Sequence, residues 1–293
     1  MIKRTRGEKI FNVCNYIILT LLAVTTIYPF LYTLTISFST PAEAVKPTLH
    51  IIPNFKAVTL DAYRYVFENE ELWIAYKNTV AITVIGTVLQ LLVTLMFAWG
   101  YMQKNYPFKR LIVAFFMGTF FLPVCRIPNF LNIKQLGLMD SFWVYILPSL
   151  MTSYNAIIAR SFFASLPESL NESARIDGAG EFRIFFQIIV PLSKPVIMTI
   201  ALWDAVAHWN SWLPSMLYMS DDRYITLQFY IRKITGAAAR RFAGSQDPEK
   251  NQEIVGETLQ AATIMAAVIP VLCIYPFIQK YFVKGVTLGA VKG

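Results

Sequence analysis

Asp204 and His208 stand four residues apart inside "TIALWDAVAHWNSWLPSM", a stretch otherwise free of charge. A four-residue spacing puts two side chains on one face of a helix, and Ser211 continues that face. Ionisable residues at membrane depth are expensive and usually functional, and this pair can exchange a proton or hydrogen-bond a ligand. Trp209, Asn210 and Trp212 lie alongside. Polar groups beside indoles suit a sugar, whose hydroxyls need hydrogen bonds and whose ring faces pack on aromatic rings. The same residues equally suit an Asp204–His208 or interhelical hydrogen bond that holds a bundle together, and both readings stay open. Arg126 sits between Pro123 and Pro128 in "LPVCRIPNF". Its guanidinium either binds a carboxylate bidentately or snorkels outwards. Tyr154 and Asn155 are further candidates along the same path.

Other chemistries are excluded or unsupported. The chain contains no HExxH, no GxSxG and no Gly-Lys dipeptide, so neither a zinc-protease helix, a nucleophile elbow nor a phosphate-binding P-loop is present. Cys14, Cys125 and Cys273 each lie in an apolar run without metal-ligand spacing, and no metal site is expected. Charged residues make up 15% of the 293 and hydrophobic residues 56%, against about 25% charged in a soluble domain. The net charge of +8 resides largely in short loops, as membrane topology requires, so nucleic acid is not an expected partner.

The elements that position these residues are membrane helices. Six apolar stretches are expected to span, roughly at 12–38, 78–102, 110–131, 142–163, 195–219 and 261–282, each near the ~20 residues that cross a bilayer. The first is too long for a cleaved signal and is read as retained. An even number puts both termini on one side. Lys3, Arg4, Arg6 and Lys9 precede the first span, Lys104, Lys109 and Arg110 follow the second, Arg160, Arg175, Arg183 and Lys194 follow the fourth, and Lys280, Lys284 and Lys292 close the chain. Only Lys134 lies in the short loop opposite. The positive-inside rule makes the first face cytoplasmic. The fold class is therefore an all-α membrane protein. Prolines within several spans favour a transport pathway, since broken helices are tolerated where the backbone faces protein or a water-filled cavity.

Between the fourth and fifth spans lies "NESARIDGAGEFRIFFQIIVP", Asn171–Pro191. Ser165 followed by Glu168 forms a capping-box pattern, and the helix it opens is expected to run to about Ile176 and to be ended by "DGAG", Asp177–Gly180, since glycine supplies the left-handed turn after a helix. Phe182, Phe185, Phe186 and Ile189 then fall at i, i+3, i+4 and i+7, one apolar stripe. The first helix has small residues at Ser169, Ser173 and Ala174 and acids at Glu168 and Glu172. An anionic leaflet repels acids, so this cytoplasmic hairpin is read as a protein-docking element.

Its pattern E-x-A-x3-G-x9-I-x-[LV]-P, met by Glu172, Ala174, Gly178, Ile188, Val190 and Pro191, resembles the EAA loop of permease subunits of bacterial ATP-binding-cassette (ABC) importers. The flanking "ESARIDGAGEFRIFFQIIVPLSKP", "AVAHWNSW" and the tail "YFVKGVTLGAVKG" are similar to the carbohydrate branch, which includes the maltose importer. Ser173 replaces the usual second alanine and Val190 the usual leucine. The resemblance implies a six-helix type I importer permease fold with a coupling-helix hairpin at 165–191. A first segment, 1–72, would precede a transmembrane core, 73–283, and a cytoplasmic tail, 284–293. It implies residence in the bacterial inner membrane with both termini cytoplasmic. It implies docking of a cytoplasmic ATPase on Glu168, Glu172, Ser173, Ala174, Asp177, Gly178, Phe182 and Phe185, and a tail (Gly285, Gly289, Lys292) reaching the ATPase interface. The implied partners are a homologous second permease, two P-loop ATPase subunits that bind ATP and Mg, an external solute-binding protein and membrane lipid. The chain itself would bind no cofactor and catalyse no reaction. The expected cargo is an oligosaccharide, and Arg126 motivates an acidic one such as an alginate fragment or other uronate. The resemblance also implies that the second permease makes most sugar contacts. The alternatives are an importer permease for another solute, or a proton-coupled secondary transporter with Asp204 and His208 as relay.

Overall fold

The structure is a computed structural model that describes residues 6–44, 46, 54, 57–103, 107–121, 125–244 and 256–273. Among these the chain is helical, with an isolated bridge between Ser39 and Val58. It divides into two compact units, Met1–Glu70 with Ile231–Pro270, and Glu71–Tyr230 with Val271–Gly293.

In the first unit, α1 (Arg6–Ser37) is about 48 Å long at the helical rise, more than the ~30 Å hydrocarbon core of a bilayer. Its residues are exposed along nearly its whole length, with only Thr35, Ile36 and Ser37 buried. A helix apolar on every side belongs in lipid or against another apolar surface. Pro29 lies inside it. The hydroxyls of Thr25, Thr26 and Thr33 donate to carbonyls of the preceding turn, which satisfies them where water is absent. After α1, the amphipathic α2 (Asp61–Glu68) docks Tyr63 against it. The Tyr63 hydroxyl lies 2.8 Å from Ser37 Oγ, and its ring centroid 5.0 Å from that of Phe38. Burial pushes the Tyr63 phenol up, partly offset by the Ser37 hydrogen bond.

The second unit carries α3 (Glu70–Met102, opening at the division), α4 (Lys109–Phe121), α5 (Arg126–Gln135), a 3-10 segment (Phe142–Ser149), α6 (Ser153–Phe163), α7 (Glu168–Ile176), α8 (Glu181–Leu192), α9 (Lys194–Trp209) and α10 (Leu213–Tyr218). α11 (Leu227–Gly244) begins in this unit and continues into the first, which also holds most of α12 (Gly256–Cys273).

Six spans were expected. Among the described residues three helices, α1, α3 and α12, are long and apolar enough to cross a membrane. The count rises to five if the 3-10 segment with α6, bent by 50°, and α8 with α9, bent by 84°, each form one span. The difference has a covalent cause. The stretch expected at 110–131 is present as α4 and α5, with 122–124 outside the described residues. Pro148 lies within the next, and the stretch expected at 195–219 is divided at 210–212, between α9 and α10, where Pro214 opens α10. Proline lacks the N–H that would continue the ladder and clashes with the preceding turn.

Among the described residues two cores hold the second unit. Trp99, Phe163, Ala174, Ile184, Phe185, Ile189 and Ile200 form one, joining α3, α6, α7, α8 and α9. Ile82, Ile133, Val144, Tyr145, Ile146 and Tyr218 form the other.

Candidate functional site

Two sites are built on α3, one near its middle and one at its end. Near the middle, Gln90 is buried and bridges two residues of α9. Its Nε2 donates to Asp204 Oδ1 at 2.8 Å, and its Oε1 lies 3.0 Å from His208 Nε2. Asn155 Nδ2 on α6 donates to the same Asp204 Oδ1 at 2.8 Å. With the Gln90 amide nitrogen committed to the carboxylate, its oxygen accepts from His208, so Nε2 carries the imidazole proton. The opposite amide orientation would set a carbonyl against a carboxylate, two acceptors facing each other. Asp204 and His208 are 3% and 5% exposed. They do share one face, but they are joined through Gln90 and not to each other.

These residues line a cavity of about 530 Å³ with Tyr154 and Trp203, whose ring centroids are 5.7 Å apart. Ser211 also lines it. The aromatic wall is Trp203, not Trp209 or Trp212, which are not among the lining residues. Asn210 is exposed and caps the end of α9, its Nδ2 donating to the Val206 carbonyl at 2.9 Å. Arg126 is exposed at the start of α5 and stands outside the cavity. Of the residues singled out from the sequence, Tyr154, Asn155, Asp204 and His208 line this one cavity. The sequence reading missed Gln90 and Trp203. A lone glutamine inside the apolar run "VIGTVLQLLVTL" was the available signal.

Gly86, one turn before Gln90, was missed too. A Cβ there would stand 2.7 Å from His208 Nε2 and 2.8 Å from its Cε1, so only glycine lets α9 approach this closely. Gly86→Ala is expected to displace the imidazole, break its bond to Gln90 and cost about 1–3 kcal/mol. Thermal unfolding of the purified chain checks this, and an unchanged midpoint would mean the ring has room to swing aside.

At the end of α3 lies the hairpin of α7 and α8. The helix α7 spans Glu168–Ile176 close to expectation, but its start differs. Pro167 is the cap residue, without a side-chain cap bond, and the Ser165 hydroxyl donates back to the Phe162 carbonyl, so the capping box does not form. The end follows the expected pattern. Gly178 has φ +76°, Ala179 N–H donates to the Ala174 carbonyl and Gly178 N–H to the Arg175 carbonyl, a Schellman motif.

The faces of the hairpin differ from the sequence reading in three places. Ala174 is buried in the chain's own core, not presented outwards. Phe185 is also buried there, with its ring 6.2 Å from Trp99. Phe182 and Phe186 are exposed, at 70% and 50%. The reason is that α8 offers two overlapping apolar stripes that share Phe185 and Ile189, and packing against Trp99 and Ala174 selects the edge with Ile184 and Ile188. A π turn at Phe185–Ile189 accommodates the choice by adding a residue to that turn. Ser173, Asp177 and Gly178 are exposed, as is Ile176.

Glu168, Asn171, Glu172 and Arg175 fall at i, i+3, i+4 and i+7 on α7 and line a second cavity, about 950 Å³, against Trp99 of α3 and Gln103 just beyond its end. Arg175 Nη2 pairs with Glu181 at 2.8 Å and donates to Gln103 Oε1 at 3.1 Å. The Arg160 guanidinium stacks 4.8 Å from the Tyr101 ring centroid. The tail residues Gly285, Gly289 and Lys292 lie outside the described residues. Among the described residues no cluster of three or more histidines, cysteines or carboxylates is placed to hold a metal.

Comparison with known proteins adds three findings. A family described as "Binding-protein-dependent transport system inner membrane component" matches residues 72–288. Over 98% of this chain and 99% of the relative, the sequence is 36% identical to the polygalacturonan/rhamnogalacturonan transport system permease protein YtcP of Bacillus subtilis, and it is 37% identical to protein LplC of the same organism over 99% and 97%. The structure superposes with a TM-score of 0.86 and 28% identity on a chain from the crystal structure of a bacterial ABC transporter involved in the import of the acidic polysaccharide alginate, covering 96% of this chain and 100% of that one.

Proposed function

We propose, from the fact that this chain belongs to the family of binding-protein-dependent transport system inner membrane components, that it is the permease subunit of an ATP-driven importer of oligosaccharides. The observation that carries the mechanism is that one helix, α3, touches both sites. It packs on the hairpin at Trp99 and meets the polar cluster at Gln90, about 14 Å apart along a continuous helix. A shift of the hairpin is therefore felt at the cavity through a rigid element, without a chain of loose contacts.

In this reading the chain spans the bacterial inner membrane with both termini in the cytoplasm. It assembles with a second permease and two cytoplasmic ATPases, which hold ATP and Mg, and receives sugar from an external binding protein. ATP binding favours one conformation through its different affinity for the two states. The hairpin docks the ATPase on its outward residues Ser173, Ile176, Asp177, Gly178 and Phe182, with Glu168 and Glu172 at the rim of the 950 Å³ cavity. The tail with Gly285, Gly289 and Lys292 reaches the same partner. Asp204, His208, Asn155, Tyr154, Gln90 and Trp203 line the sugar path. Trp209, Asn210 and Trp212 flank it. The finer reading, an oligosaccharide bearing uronates, draws support from the names of two relatives and from Arg126, which would meet such a carboxylate outside the cavity.

The test is affinity purification of the tagged chain from its native membrane, wild type against Glu172→Lys, with mass spectrometry of what accompanies it. A P-loop ATPase and a second permease are expected, with the charge reversal losing the ATPase alone. A chain that purifies by itself and carries sugar into liposomes without ATP would instead favour a secondary transporter with Asp204 and His208 as its relay.

A further inference from the structure

The cavity beside Asp204 has a charge character that bears on which sugar units it accepts. Among the described residues no lysine or arginine lines it, and the carboxylate of Asp204 is the formal charge in its wall. That carboxylate takes two amide N–H donors on Oδ1, and Oδ2 is buried without a partner. The one basic side chain in the wall, His208, is turned to Gln90. The remaining surface is suited to an uncharged ring. Tyr154 and Trp203 supply an aromatic face, and Ser149, Thr152 and Ser211 supply hydroxyls.

A uronate carboxylate entering here would leave water and find no cation. It would also face the Asp204 charge in a medium of low dielectric, where an unpaired ion is costly. Resting on the reading of this chain as an oligosaccharide permease, we propose that this cavity accepts an uncharged glycosyl unit, and that Asp204 is the residue that discriminates against a uronate. Any uronate in the transported chain is then met elsewhere, by Arg126 or by the second permease.

The expected discrimination is at least about tenfold, since two unit charges ~12 Å apart at an effective dielectric of ~20 lose that factor.

The experiment uses the complete transporter in nanodiscs without its binding protein, so that the membrane site alone selects. Two probes are compared by calorimetry: trigalacturonate, and its carboxyl-reduced counterpart, a neutral trisaccharide of the same linkage. Wild type is expected to bind the neutral probe about tenfold tighter or more. Asp204→Asn keeps an oxygen for Gln90 and Asn155, and is expected to narrow the ratio to within about threefold. The ratio is internal to each protein, so a general loss of affinity does not mimic the effect. The proposal is overturned if wild type binds trigalacturonate as tightly as the neutral probe, or if both probes bind and Asp204→Asn leaves their ratio unchanged. If an ATP-hydrolysing complex binds neither trisaccharide, the oligosaccharide reading itself falls, and this proposal with it.

Discussion

Gln90→Leu is expected to lower the stability of this chain by about 3 kcal/mol or more, the combined cost of two buried polar groups losing partners. Leucine fills nearly the same volume, so the effect is one of polarity, not of packing. Asp204 keeps only the Asn155 donor on Oδ1, and the His208 Nε2–H loses the Gln90 oxygen that it meets at 3.0 Å. Both residues are almost completely buried. The measurement is the thermal unfolding midpoint in detergent, expected to fall by about 5–10 °C for this size of chain. The triple replacement Gln90→Leu, Asp204→Leu, His208→Leu should recover most of that loss, because an apolar cluster strands no charge. It should nevertheless be dead in transport. A triple variant no more stable than Gln90→Leu alone would mean that the cluster is not where the energy lies.

The second large effect separates two phenylalanines three residues apart. Phe185→Ala is expected to cost about 3–5 kcal/mol, the usual price of a cavity in a packed core, because Phe185 is 4% exposed and packs with Trp99, Ile184 and Ile189. Phe182→Ala is expected to change stability by less than about 0.5 kcal/mol, as at most surface positions. Its ring is 70% exposed on the outward side of the hairpin, so its effect should appear in assembly. An aromatic anchor in an interface contributes about 2 kcal/mol or more, roughly a thirtyfold loss of ATPase affinity. Unfolding midpoints report the first effect and titration of purified ATPase onto the permease reports the second. The docking assignment fails if the Phe182 variant recruits the ATPase normally.

The sequence spoke clearly wherever the physics is local. A run of twenty apolar residues has no soluble solution, so membrane residence followed from composition alone. The end of α7 followed from Gly178, because a backbone at φ +76° admits glycine far more readily than other residues. The four-residue spacing of Asp204 and His208 placed them on one face before any fold was known, and the EAA pattern marked the hairpin.

What needed the tertiary structure is what depends on a second element. Ser165 carries a capping pattern, yet its hydroxyl turns back to Phe162, since Pro167 supplies the helix start instead. Arg126 stands outside the cavity for which its charge seemed suited. Trp203, not Trp209 or Trp212, faces the path, because Trp203 and Trp209 leave α9 in different directions, Trp212 lies beyond its end, and the packing of Tyr154 of α6 on Trp203 decides which is used. Phe182 and Phe185 belong to one stripe by period, but α8 is apolar over a wider arc than its partners can cover. Gln90 and Gly86 lie more than a hundred residues from the side chains they serve. Helical periodicity determines which residues share a face; which face meets which neighbour is a long-range choice, made when buried polar groups seek partners and apolar edges compete for the same core.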